Sequence, residues 1–166
     1  MRIIKLMFIL LFLHISLYAL TLQQYKLIKE VYNLGSKFDL GLTMSAIVLA
    51  ESDAGKYKIT INHNTVDCGV FMINSKTLAN DHWNQSRICE RLVMDNKFSF
   101  SVAIKRFKYF YNYYRSKGFN KGISWKRAIM SYHAGWNYKQ GTRYYKKIVH
   151  NIKFINKLIK RRKDVK

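Results

Sequence analysis

The stretch VLAESDAGKY, Val48 to Tyr57, brings an apolar run to a carboxylate. Glu51 follows Ile47 by four residues and Val48 by three, so on a helix it shares their core-facing side. Burial there disfavours the charged form, and a carboxyl that keeps its proton near neutral pH can act as a general acid. Acids are scarce in this chain, with 9 Asp+Glu against 30 Lys+Arg. The plainer reading is a glutamate at a helix edge reaching water, and spacing alone does not separate the two. Asp53 and Asp67 are the loop candidates for a second carboxylate. His14, His63, His82, His133 and His150 lack metal-ligand spacing, so the sequence calls for no metal and no other cofactor.

Helices must position these groups. Tyr25, Ile28 and Tyr32 recur at helical spacing, and Gly35 can end that helix. A second helix is expected from about Leu42 to Ala50, its stripe made by Met44, Ile47, Val48 and Glu51. Between Ser52 and Asn74 the periodicity fails, and Gly55, Asn62, Asn64, Asp67 and Gly69 mark a long loop of the kind that usually serves function. Helical pattern resumes weakly over Thr77 to Asp81 and Arg87 to Met94. It is strong from Phe100 to Tyr114, where Phe100, Ala103, Ile104, Phe107, Phe110, Tyr111 and Tyr114 share a face, with Gly118 just beyond. Ser124 reads as an N-cap for a helix carrying Trp125, Ala128, Ile129 and Tyr132. Thr142 reads as the cap of a last helix built on Tyr145, Ile148, Val149, Ile152 and Ile155. The aromatic stripes read as core rather than as sugar platforms. With 8 Gly and no Pro in 166 residues, the expected fold is all-α, one compact domain.

The N-terminus bears on location. MRIIK supplies a basic region, LMFILLFLHISLY an apolar one, and Leu17-Tyr18-Ala19 a cleavage site, so residues 1–19 read as a signal peptide. The runner-up is an uncleaved membrane anchor; either way the chain from Thr21 onward leaves the cytoplasm. Cys68 and Cys89 are the two cysteines. In an oxidising compartment they could close a loop of roughly 20 residues with about 3 kcal/mol of stabilisation, and two free buried thiols are the alternative. The net charge of +21 and pI near 10.1 fit an anionic partner, such as nucleic acid, lipid head groups or cell-wall polymer. Codon bias toward Lys and Asn accounts for such a charge equally well. Export and the lack of any nucleic-acid motif put specific nucleic acid last.

Two further stretches follow Glu51 in order. DCGVFMINSKTL, Asp67 to Leu78, is a Gly-led apolar turn, and SYHAGW, Ser131 to Trp136, ends a helix in small residues; TRYYKKI opens the last helix beyond it. Helix-Glu-Ser, then Gly-Val-Phe-x-Ile-Asn-Ser, then Tyr-x-Ala-Gly resembles the lytic transglycosylase domain of the goose-type lysozyme-like superfamily. It is most similar to the small exported members that accompany secretion or conjugation machines. The resemblance covers about Leu40 to Ile148 and implies a lysozyme-like catalytic domain over residues 20–166, with a long active-site loop and a basic C-terminal tail.

On that resemblance, Glu51 matches the catalytic acid that protonates the glycosidic oxygen between N-acetylmuramic acid and N-acetylglucosamine and then acts as base. The muramoyl C6 hydroxyl attacks, and a 1,6-anhydro end forms without water. Ser52 matches the serine that positions the acid, and Gly69, Val70, Phe71 and Ile73 match the substrate-cleft turn. Tyr132 matches the tyrosine that reaches toward the acid, and Ala134 and Gly135 match the small residues beneath the sugar. Met72 stands where the family usually has Gln, and His133 where it usually has Asn. The implied partners are peptidoglycan glycan strands and a secretion or conjugation apparatus, with membrane contact only through the signal or anchor, and a periplasmic monomer. A hydrolytic muramidase on the same scaffold and a non-catalytic cationic wall-binding protein are the alternatives.

Overall fold

A computed structural model describes residues 20–62, 65–78 and 82–161. Residues 1–19, the expected signal peptide, lie outside the described residues. So do the end of the basic tail, and residues 79–81 of the weak helical pattern. Among the described residues the chain forms six α-helices and a small antiparallel sheet. The architecture is mostly α, and the sheet corrects the all-α expectation.

Helix α1 spans Leu22–Ser36 and starts in a capping box, Thr21 accepting from the Gln24 N–H while the Gln24 side chain accepts from the Thr21 N–H. Gly35 does not stop it. The helix runs one residue further, and Gly35 is buried where a Cβ would meet the Gly41 backbone at 3.0 Å. Helix α2, Gly41–Ser52, is buried nearly all round, with Met44, Ala46, Ile47 and Val48 sealed from solvent. Its neighbours are fixed by polar ties as well as by packing. Ser45 donates to the Ile28 carbonyl of α1 (3.2 Å), and Gln24 donates to the Asp53 carbonyl (2.8 Å).

The expected long loop is instead three short strands, β1 Ile59–Asn62, β2 Thr65–Cys68 and β3 Ile73–Asn74, paired in that order. They escaped the periodicity because every residue of β1 is exposed, so no inward-outward alternation exists to be read. A 3-10 turn, Ser75–Thr77, follows, and then α3, His82–Met94, which starts earlier than Arg87. The structure joins Cys68 at the end of β2 to Cys89 on α3, with Cα atoms 5.3 Å apart.

Helix α4, Asn96–Ser116, is capped by Asp95, which accepts from the Phe98 N–H at 2.9 Å. Its stripe of Phe100, Ala103, Ile104, Phe107, Phe110 and Tyr114 is buried, with Tyr111 half-buried beside it. Helix α5, Lys121–Ala134, begins one turn before the expected cap. Asn120 is the N-cap, accepting from the Ile123 N–H at 2.9 Å, and Ser124 is buried inside the helix, donating to the Phe119 carbonyl. Asn120 meets the same requirement a turn sooner, since an Asx oxygen caps as well as a Ser oxygen does. Helix α6, Thr142–Arg161, follows a 3-10 turn, Tyr138–Gly141, and the Thr142 hydroxyl donates back to the Lys139 carbonyl rather than capping.

Trp125 of α5 donates to Thr43 near the start of α2, which ties the two helices at that point. Helix α6 runs against α2, with Asn151 donating to the Ala46 carbonyl and Lys147 to the Ala50 carbonyl. The ends of α2 and α5 and the start of α6 meet in one place. Glu51, Tyr132 and Tyr144 are carried there.

Candidate active site

The last turn of α2 is held more firmly than a helix end requires. Asp53, Ala54 and Gly55 are three successive residues in left-handed conformation, with φ of 51°, 52° and 84°. An alanine in that region costs about 1 kcal/mol, so the surroundings must compel it. They do so through Ser52, which is fully buried. Its hydroxyl donates to the Val70 carbonyl at 2.7 Å, lies 3.1 Å from the Val48 carbonyl, and accepts from the Gly55 N–H at 2.9 Å. The single proton serves the shorter bond, so Ser52 ties the glutamate-bearing helix to the Gly69 turn.

That turn admits only glycine at its first position. Gly69 has φ 77°, and a Cβ there would come within 2.5 Å of the Leu92 carbonyl oxygen and 2.7 Å of the Ser99 hydroxyl. Val70, Phe71 and Ile73 are sealed in the core, Phe71 packing on Phe100 with ring centroids 6.2 Å apart. Their side chains do not line a cleft. Val70 and Phe71 serve through backbone, their carbonyls receiving Ser52 and, in a long bond of 3.4 Å, the Tyr132 hydroxyl. Met72 is half-buried with φ 45°, and the Thr60 hydroxyl meets its sulfur at 3.8 Å.

Glu51 keeps some solvent contact, yet protein surrounds its carboxylate closely enough that burial pushes its pKa from 4.5 to about 7. The Tyr144 hydroxyl, Lys147 and Arg106 hold back part of the rise, and Asp67 adds to it. Tyr144 is itself buried, and its hydroxyl has no partner in full hydrogen-bond geometry; the Glu51 carboxylate is the acceptor it approaches. Burial first, and the Glu51 charge second, raise the pKa values of both Tyr132 and Tyr144, so both stay protonated donors. Near pH 7 the site thus holds a half-protonated carboxyl approached by the Tyr144 phenol, with the Tyr132 phenol within reach of its charge.

Arg106 and Tyr144 escaped the sequence reading. The Arg106 guanidinium lies over the Tyr132 ring at 5.7 Å, and its buried Nε has no hydrogen-bond partner. Its position was available, three residues after Ala103 and four before Phe110, inside the buried stripe of α4. His133 is stacked on the Tyr144 ring, with centroids 4.6 Å apart and planes 6° from parallel. Burial, then Lys147, lowers its pKa, so it is neutral at pH 7. Ala134 is half-buried and ends α5; Gly135 caps it with φ 60° and ψ −139°, a conformation essentially reserved for glycine.

A cleft of about 1100 Å³ opens beside Glu51. Its walls come from α1, the turn after α2, and α6, and include Asp53, Tyr57, Lys58, Lys147 and Phe154. Neither the Gly69 turn nor the Tyr132–Gly135 segment lines it, so Glu51 stands between the cleft and those elements. Among the described residues no three His, Cys, Asp or Glu side chains gather as metal ligands would. No helix among them is long and apolar enough to cross a membrane.

No family model, curated protein or solved structure matches this chain. What the site can do is therefore argued from its own side chains. A carboxyl with a pKa near 7 gives and takes a proton with equal ease at neutral pH, as a group acting first as acid and then as base must. The Ser52 tie fixes the backbone that carries it, while the carboxylate itself is left free to approach a reacting atom.

Proposed function

We propose that this chain is an exported peptidoglycan lytic transglycosylase on a lysozyme-like scaffold, cleaving the β-1,4 bond between N-acetylmuramic acid and N-acetylglucosamine. The carrying observation is Glu51, raised to about 7 by burial and attended by Tyr144, Tyr132 and Arg106. Its proton passes to the glycosidic oxygen as the C1–O bond breaks and the N-acetylglucosamine end leaves. The resulting carboxylate then takes the proton of the muramoyl C6 hydroxyl as that oxygen bonds to C1. The strand ends in a 1,6-anhydro ring, and Glu51 is protonated again. Arg106 and the Tyr144 hydroxyl stabilise the carboxylate between the two steps. The basic surface suits an anionic wall, the Cys68–Cys89 bond suits the periplasm, and a secretion or conjugation apparatus is the proposed context for a small monomer of this kind.

A hydrolytic muramidase is the second reading, favoured by Asp67, whose charge reaches Glu51. In that mechanism a second carboxylate activates water. Purified sacculi digested with wild type and Glu51→Gln decide the matter by mass spectrometry. The expected result is anhydromuropeptide release by wild type alone. Reducing ends would establish hydrolysis instead. Equal release by both proteins, or none above blank, refutes the catalytic reading and leaves a cationic wall binder.

A further inference from the structure

The cleft beside Glu51 is larger than a small-molecule site, ordinarily about 300–1,000 Å³, and more than one sugar ring requires. Its charge is one-sided. Lys147 donates to the Ala50 carbonyl at 2.7 Å, and Lys58 donates to the Val93 carbonyl at 3.1 Å and lies 3.4 Å from the Asn96 amide oxygen. Both ammonium groups are thus held in place by neutral oxygens. The carboxylates on the same walls do not balance them, since Asp53 lies 4.0 Å from Lys56 and Glu51 is only partly ionised at pH 7. His150 adds a further donor on α6, and Tyr57 and Phe154 supply apolar wall. Positioned cations, room for several residues and apolar surface suit a short acidic peptide.

Resting on the glycosidic reading of Glu51, we infer that the cleft between α1, the turn after α2, and α6 seats the carboxylate-bearing peptide branch of the strand cut at Glu51. The branch of a murein strand leaves the muramic acid through its lactyl ether, next to the bond being broken. A bound strand with that bond at Glu51 can therefore send its peptide directly into the cleft that Glu51 borders. The specificity so produced is for peptide-substituted strands with free carboxylates, over amidated or naked ones.

The test uses the full chain carrying Glu51→Gln, so that strands bind without turnover. Three probes are compared by calorimetry at fixed salt: peptide-bearing glycan strands, the same strands with carboxylates converted to amides, and strands stripped of peptide by an amidase. The expected result is binding weaker by about tenfold on amidation or stripping. Adding Lys56→Glu and His150→Glu, both exposed on the cleft wall, should abolish that preference. Lys117→Glu with Lys121→Glu, exposed at the opposite end of α4 and α5, should leave it intact. The inference is overturned if stripped strands bind as tightly, if the distant reversals remove the preference equally, or if a nucleic-acid oligomer displaces the strands as well as free peptide does. Cleavage of all three probes alike by wild type would overturn the inference while leaving the glycosidic function standing. Failure of every strand to bind or be cut removes both.

Discussion

Glu51→Gln should stabilise the protein, and should do so only where Glu51 would be ionised. Glutamine matches the shape of the protonated acid and carries no charge to bury. The glutamate pKa rises from 4.5 to about 7 on folding, and each pKa unit is worth about 1.4 kcal/mol, so the ionised form costs about 3 kcal/mol. The sign follows from linkage. A group with a raised folded pKa favours the fold fully below its unfolded value, here about pH 4.5, and loses that contribution as pH climbs through about 7. The glutamine variant escapes the loss. Its advantage over wild type should be small at pH 4, grow between pH 5 and 7, and level off near 3 kcal/mol by pH 8. Against a total of about 5–15 kcal/mol for a domain, that is a large fraction, worth about 6–12 °C in Tm. Urea unfolding of both proteins at pH 4, 6 and 8, disulfide intact, measures it. The other ionisable groups, including the many lysines, are shared and cancel in the difference. A gain of the same size at pH 4 and pH 8, or a loss at pH 8, would show that Glu51 is not a desolvated acid, and the chemistry assigned to it would fall.

Two further changes probe the groups around the acid. Ser52→Ala removes the tie to Val70 and strands the Gly55 N–H, and should cost about 2 kcal/mol in urea unfolding, with a fall in turnover beyond what the loss of folded protein explains. Unchanged turnover per folded molecule would make Ser52 purely structural. Tyr144→Phe removes a group that favours the Glu51 carboxylate, so the Glu51 pKa should climb further and the alkaline limb of the pH–rate profile should move to higher pH, with a lower peak rate. A limb that stays in place would place the Tyr144 hydroxyl outside the proton-transfer unit.

The helices were legible where burial is one-sided and the chain repeats. Helix α4 shows its stripe plainly, and Glu51 stands out because so few acids compete with it. The strands were not legible, because β1 exposes all four residues and β3 is only two residues long. The stripe of α6 was legible in part. Ile148 and Ile155 are buried and Tyr145, Val149 and Ile152 half-buried, but the buried line also takes in Tyr144 and Asn151, which the apolar pattern did not mark. Asn151 is buried because it donates to the Ala46 carbonyl, a partner on another helix that no local pattern can announce. Arg106 was hidden for the same reason, as a cation inside an aromatic stripe. Tertiary partners decide these residues, and two of the groups that attend Glu51 are among them.

Under the proposed function, Asp67 carries the choice between the two glycosidic chemistries, and its surroundings favour the one-carboxylate route. It lies in β2, the middle strand. One of its oxygens accepts from the Asn62 amide of β1 at 2.8 Å and the other from the Asn74 amide of β3 at 2.9 Å. The carboxylate therefore clamps all three strands, and Asn74 also caps the 3-10 turn that follows. A base that activates water must turn a lone pair to that water and accept its proton, which would weaken two amide bonds at the moment of reaction. No such clamp holds Glu51, which the Tyr144 hydroxyl approaches without closing a full hydrogen bond. Asp67 instead serves as a fixed negative charge that helps keep Glu51 protonated.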